Sequence, residues 1–309
     1  MNTMSNSLRL VLGSLAVAAA GWAAPVPGSV LSYFQSNQPQ VYGLSIQEDW
    51  RTASTMMYLT AQHGTVYRFD VDSVSAIKNG GMGTYDSSVR MTNEGALEGA
   101  RGLAVAPCWE GPYGTQFFSY IGAYADDRSF RSRFDIDGSV PNSWATGDIS
   151  QGTQSFSNNG NSLNATGDIE PVSRTAPNTG LWATYGNNLI QYPDPGYGIV
   201  PTAQYGLGEA LNGVALGAAD NDVWVLTVDK EILHVLVSGG LAQIATRFNL
   251  DSQIVDPQGI VFDTGENSLW VSDLNGNAIY QVAIPEPASL GLLVTGGLLL
   301  LRRRSRRQA

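Results

Sequence analysis

The chain has 309 residues, with 27 Asp and Glu against 17 Lys and Arg, two histidines and one cysteine. Six of the basic residues, Arg9 and five arginines near the C-terminus, lie in the end segments, which leaves the stretch between them with a net charge near −16. A surface that acidic repels nucleic acid and anionic headgroups, excluding a nucleic-acid function, and a lone cysteine excludes an internal disulfide.

At the N-terminus, Met1 to Leu8 is short and polar, Arg9 follows, and an apolar core runs from Leu10 to Ala20. Gly21-Trp22-Ala23 is small at both outer positions. This is the layout of a secretory signal peptide over residues 1–23, cleaved after Ala23 by signal peptidase. The 11-residue apolar core is short for an uncleaved anchor. Residues 24–284 are then the extracellular body, opening with a Pro-, Ser-, Asn- and Gln-rich stretch to residue 40.

From there the chain is short β-like runs punctuated by Gly, Asn and Asp, with helical period only at Ser73 to Lys78. One unit recurs: strand, tight connection, second strand, turn, third strand. Its second and third strands read as Met57–Thr60 with Thr65–Phe69, then more loosely as Phe117–Tyr120 with Arg131–Ile136. They return as Leu181–Thr184 with Leu189–Tyr192. The two last copies are full. Asn212–Leu216 leads to Val223–Thr227 and Ile232–Val237, and Asp256–Asp263 leads to Leu269–Asp273 and Ala278–Val282. The aromatic markers Tyr58, Tyr120, Trp182, Trp224 and Trp270 are spaced 62, 62, 42 and 46 residues apart. A single small sheet cannot bury its own faces, so repeats near 40–50 residues predict an all-β propeller of about five or six blades. A β-sandwich is the competing architecture. Closure of such a ring by pairing of the chain ends predicts a strand near residues 30–46 completing the last blade. The Ser-, Asn- and Gly-rich stretch 138–175 reads as a long insertion or a degenerate blade.

The last 25 residues, 285–309, form a three-part tail: Pro285-Glu286-Pro287, an uncharged 14-residue run from Ala288 to Leu301, and Arg302, Arg303, Arg304, Arg306 and Arg307. The apolar run enters lipid, and the arginines stay on the cytoplasmic side because charge at bilayer depth is costly. The tail resembles the PEP-CTERM sorting signal of Gram-negative bacteria. The resemblance implies recognition and cleavage by a membrane exosortase, transient membrane anchoring, and a destination at the cell surface or outside the cell.

The two full repeats resemble the blades of NHL-type and gluconolactonase-type propellers, through Pro257-Gln258-Gly259-Ile260, Leu269-Trp270-Val271-Ser272-Asp273 and Asn277-Ala278-Ile279. The gluconolactonase resemblance implies a divalent metal on the propeller axis, held by one Glu, two Asn and one Asp and polarising an ester or lactone carbonyl. Asn212, before Gly213, matches that family's Asn-Gly position. The position of its metal-binding Asp is Gln258 here, a neutral amide, and neither the Glu nor the second Asn has a match. That departure argues against activity.

Other chemistry is sparse. The sequence has no Gly-x-Ser-x-Gly elbow, no His-Glu-x-x-His and no phosphate-cradling Gly-Lys-Ser/Thr. Cys108, ending an apolar run, reads as a buried small hydrophobe, His63 as a turn residue and His234 as a strand residue. The pairs Asp70/Asp72 and Asp135/Asp137 could donate oxygens to Ca²⁺. Strand-end aspartates bonding their own turns are the more economical reading. The expectation is therefore a non-catalytic binding module, with no catalytic residues, no metal ligands and no cofactor. Its partners would be extracellular polysaccharide or a surface protein. The alternatives are a metal-dependent lactonase- or esterase-like hydrolase and a purely structural matrix component. The sorting reading carries its own test: replacing Pro285-Glu286-Pro287 by alanines should leave unprocessed protein in the membrane fraction, and normal release of that variant would overturn it.

Overall fold

The computed structural model describes residues 24–38, 40–49, 54–61, 65–75, 77, 80–85, 87–90, 102–108, 116–123, 128–134, 155–156, 168–173, 180–192 and 201–285. Met1 to Ala23, including the signal-peptide cleavage site, and Glu286 to Ala309, including most of the sorting tail, lie outside the described residues. Every described strand falls within residues 27–283, which form one compact unit.

The described strands make five sheets, taken in chain order as first to fifth. The first joins Leu44–Asp49, Ser54–Ala61, Thr65–Asp70 and Ser87–Arg90. The second joins Gly102–Cys108, Gln116–Ala123, Arg128–Phe134 and Ser155–Phe156. The third joins Ile169–Pro171, Leu181–Tyr185, Asn188–Tyr192 and Ala203–Gly206. The fourth joins Leu211–Leu216, Asp222–Thr227, Glu231–Ser238 and Leu241–Asn249. The fifth joins Pro257–Asp263, Ser268–Asp273 and Ala278–Ala283 to Val30–Gln35 from the N-terminus, with Gly81–Met82 added in parallel outside it. A five-residue helix, Val71–Ser75, is the helical element described; it lies two residues upstream of the predicted Ser73 to Lys78.

The first strand of each sheet touches the first strand of the next, and Pro257–Asp263 touches Leu44–Asp49, so the ring closes. This is a propeller arrangement with those five strands innermost. Burial falls off outward as such a ring requires. Pro257–Asp263 is buried throughout, whereas Leu241–Asn249, outermost in the fourth sheet, alternates exposed and half-buried positions. Apolar cores fill the spaces between sheets. Ala104 packs with Ile169, Ala183 and Ile190 across the second and third sheets. Trp182 and Leu189 pack with Val214, Val225 and Val235 across the third and fourth. Trp224 faces Phe262 across the fourth and fifth, with ring centroids 6.3 Å apart.

The expected chain closure is present. Val30–Gln35 runs antiparallel to Ala278–Ala283, pairing Tyr33 with Tyr280 and Phe34 with Ile279. The fully buried Phe34 enters the core shared by the fifth and first sheets, against Phe69 and Trp270 at centroid distances of 5.6 and 5.9 Å. A buried polar chain reinforces the seam: Ser32 Oγ donates to Gln281 Oε1 at 2.8 Å, and Gln281 Nε2 donates to Ser268 Oγ at 2.9 Å.

The five aromatic markers occupy one structural position. Tyr58, Tyr120, Trp182, Trp224 and Trp270 each lie on the second strand of a different sheet, paired with Ser45, Ala104, Glu170, Ala215 and Val261. Two residues before those partners, four repeats carry glycine: Gly43, Gly102, Gly213 and Gly259. Here the innermost strands approach too closely for a side chain. A Cβ on Gly43 would lie 2.5 Å from Leu103 N, one on Gly102 2.9 Å from Ile169 N and one on Gly213 2.8 Å from Ile260 Cγ2. One on Gly259 would meet the Tyr42 carbonyl oxygen. The stretch 138–175, expected as an insertion or degenerate blade, contributes Ser155–Phe156 to the second sheet and, as Ile169–Pro171, the innermost strand of the third.

Gly259→Ala should destabilise by about 1–3 kcal/mol, because the clash is with backbone and cannot be relieved by a rotamer change. Gly206→Ala, whose Cβ would meet only Asn188 Oδ1 at 3.6 Å, serves as the control. Urea denaturation of both variants checks the difference.

Candidate axial site

In the third repeat the ring position held elsewhere by glycine is Asp168, and the residue paired with the aromatic marker is Glu170. Both are fully buried. The strand alternation puts them on one face, two residues apart. Asp168 Oδ1 accepts N–H bonds from Leu103 at 3.1 Å and Ile169 at 3.0 Å, and its Oδ2 accepts one from Ile260 at 3.2 Å. One carboxylate thereby ties together the innermost strands of the second, third and fifth sheets. The Asp168 backbone is fixed in turn, its N–H donating to Thr184 Oγ1 at 3.1 Å. The pairing register of Pro257–Asp263 shifts between Pro257 and Ile260, where the chain turns the Ile260 N–H toward Asp168.

Loss of water around Asp168 drives its pKa well above the ordinary carboxylate range, and the neighbouring Glu170 charge adds to this. The three N–H bonds oppose the shift without cancelling it.

Around the same axis, the residues that sequence comparison with lactonase-type propellers singled out are committed to the frame. Asn212 Nδ2 donates to the Pro257 carbonyl at 2.6 Å, joining the fourth sheet to the fifth. Gln258 Nε2 donates to Asp256 Oδ1 at 2.7 Å. Ser272 Oγ receives the Gly259 N–H at 2.8 Å and itself donates to the Tyr42 carbonyl, joining the fifth sheet to the first. Among the described residues no group of three or more His, Cys, Asp or Glu is placed to hold a metal ion.

The remaining sequence candidates are dispersed. Asp70 Oδ1 accepts the Ser73 N–H at 2.8 Å, which is the turn-capping role, and Asp72 is exposed in the helix. His234 lies on its expected strand, half-buried, with Nε2 2.5 Å from Asp222 Oδ1 and its ring stacked on Trp224 at 4.1 Å. Cys108 ends the first strand of the second sheet, where its backbone pairs with Gln116. His63, Asp135 and Asp137 lie outside the described residues, as do Glu286, Pro287 and the arginine cluster; Pro285 is described at the end of the body. Sequence reasoning missed Asp168 and Glu170; strand pairing with the aromatic markers is what places Asp168-Ile169-Glu170 in register with Gly43-Leu44-Ser45 and Gly102-Leu103-Ala104.

No protein-family model matches the chain, and no curated protein matches it. Among solved structures 1100 chains match, one being the crystal structure of Myxococcus xanthus glutaminyl cyclase. The likeness spans 84% of this chain and 98% of that one, at a TM-score of 0.52 and 12% identity. At that identity it shows a shared fold and nothing of shared chemistry.

Because folding raises the pKa of Asp168, the folded state holds its proton more tightly than the unfolded one. Its contribution is then fully present below the unfolded value and is lost as pH rises through the folded value. Melting temperatures measured from acid to mildly alkaline pH should fall more steeply for the wild type than for Asp168→Asn, which has no proton to lose.

Proposed function

We propose that this chain is an exported, surface-sorted propeller of five blades that binds extracellular polysaccharide or another surface protein and does not catalyse a reaction. The address comes from its two ends: a signal peptide removed after Ala23, and a tail in which Pro285-Glu286-Pro287, an apolar run and five arginines follow one another. Signal peptidase, exosortase and, before processing, the membrane are its partners in maturation.

The observation that carries the binding reading is the engagement of the axis. Asp168 is bonded to three backbone N–H groups and the Asn212 amide to a neighbouring carbonyl. Side chains committed in this way hold the sheets together and supply a rigid frame from which the connecting loops present ligand-contacting groups.

A catalytic reading has one feature in its favour, the two fully buried acids Asp168 and Glu170 side by side on the axis. Buried acids with displaced acidity cluster at functional sites. On that reading the chain would be a metal-dependent lactonase- or esterase-like hydrolase, or would share glutaminyl cyclase activity with its structural neighbour.

Two measurements on the mature protein separate these readings. Pull-down against the producing cell's own matrix polysaccharide and surface proteins should retain it, and retention of neither would overturn the binding reading. Removal of divalent ions by EDTA, followed by Ca²⁺, Mg²⁺ or Zn²⁺, should leave the melting temperature unchanged, since an ion bound only to the folded state must raise it. A specific metal-dependent rise, with turnover of lactones, esters or an N-terminal glutaminyl peptide, would establish the catalytic reading instead.

A further inference from the structure

We infer that the propeller axis is a backbone N–H pocket, built to hold one small carboxyl group, and that Asp168 is its built-in occupant. Three independent features converge on it. The donors come from three different sheets: the N–H groups of Leu103, Ile169 and Ile260, at 3.1, 3.0 and 3.2 Å. The ring position is glycine in the other four repeats, and at each of those four a side chain would collide with the next strand. The third repeat alone supplies a side chain at this position. Finally, among the described residues no cationic side chain is bonded to Asp168, and the charged group acting on it is another acid, Glu170.

Backbone N–H groups turned to one point, here from three separate strands, can hold a carboxyl group without any cationic side chain. Such pockets commonly receive a free anion. Here the ligand is tethered, so its occupancy is independent of concentration and no ordering cost is met from solution. The pocket ties the second, third and fifth sheets to one carboxyl, and it is separate from whatever the connecting loops bind.

The test is chemical rescue in the full chain. Asp168→Gly restores the repeat's common residue but empties the pocket and leaves three N–H groups without their acceptor, so its melting temperature should fall by roughly 5 °C or more. Sodium formate, which has the size of the missing group, should raise that temperature in a dose-dependent way toward the wild-type value. It should leave the wild type unchanged, and the bulkier trimethylacetate should do nothing to either. A variant as stable as the wild type, or one that formate does not rescue, would overturn the inference. Where Asp168→Gly fails to fold, Asp168→Asn gives the same decision by amide hydrogen exchange. Its single carbonyl oxygen stays with the paired donors Leu103 and Ile169, so the Ile260 amide alone should exchange faster. Unchanged exchange at Ile260, or equal acceleration at all three amides, would sink the idea.

Discussion

The close approach of five strand beginnings around one axis is the constraint on which this structure depends. At four of them glycine lets the chain meet its neighbour, three times against backbone and once, at Gly213, against the Ile260 side chain, and the spacing between adjacent sheets follows from that contact. Further out the sheets diverge, and the gap must be filled by progressively larger side chains. Phe34, Trp270, Trp182 and Trp224 lie in that wedge, while Ala104 and Ala215 stand nearer the axis. A ring of this kind tolerates variation in its outer strands and connections far better than at its centre. This accounts for inner strands that keep a common pattern while the connections between sheets vary widely in length.

A second theme follows from the shortage of cations. With 11 Lys and Arg against 26 acids outside the end segments, most carboxylates have no ion-pair partner available. The protein answers with backbone donors. Asp273, fully buried, accepts N–H groups from Val255, Asp256, Asn275 and Gly276, and Asp263 accepts those of Gly265 and Glu266 together with the Trp270 indole. Asp168 is the extreme case, because its donors belong to separate sheets. Acidity that looks like a solubility device in composition thus does structural work at turns and at the axis. A carboxylate bonded to several N–H groups is held in place whatever the salt concentration, unlike an exposed ion pair. The one exposed charge network described, Arg247 between Glu209 and Glu231, has the weaker, salt-screened character.

Much of this was legible in the sequence, and the reason is local. Strand alternation and the turn residues between strands defined the second and third strands of every repeat, so all five aromatic markers fell on equivalent positions. The first strands were harder. In the last two repeats the ring position precedes the marker by 11 residues, whereas in the others the distance is 14, 15 and 18, so no fixed period finds them. Ile169–Pro171 was hidden for a further reason: three residues, one of them an acid and one a proline, do not read as a strand. Its identity comes from its neighbours in the ring, which is information no local pattern contains. The same holds for the site. Asn212 was visible as a match to a familiar ligand pattern and Gln258 as a departure from it, but their hydrogen bonds to the adjoining chain, and the choice of Asp168 over glycine, are properties of the assembled axis.

The pairing of Val30–Gln35 with Ala278–Ala283 has a kinetic consequence. Ser32 and Gln281, bonded to each other, are 249 residues apart in sequence. The first strand to emerge during synthesis is therefore the last to find its partner, and until it does Phe34 and the faces of Trp270 and Phe69 have no cover. Contacts so distant in sequence are reached slowly, because the loop entropy is spent before any pairing energy returns. The ring thus passes through an open state with one unsatisfied edge, and the lifetime of that state, more than the stability of any single sheet, governs how readily two unfinished chains exchange strands. Joining the paired ends, where Gly28 donates to the Ala283 carbonyl at 2.8 Å, and cutting the chain between two other sheets would relocate that edge without altering a single inner contact.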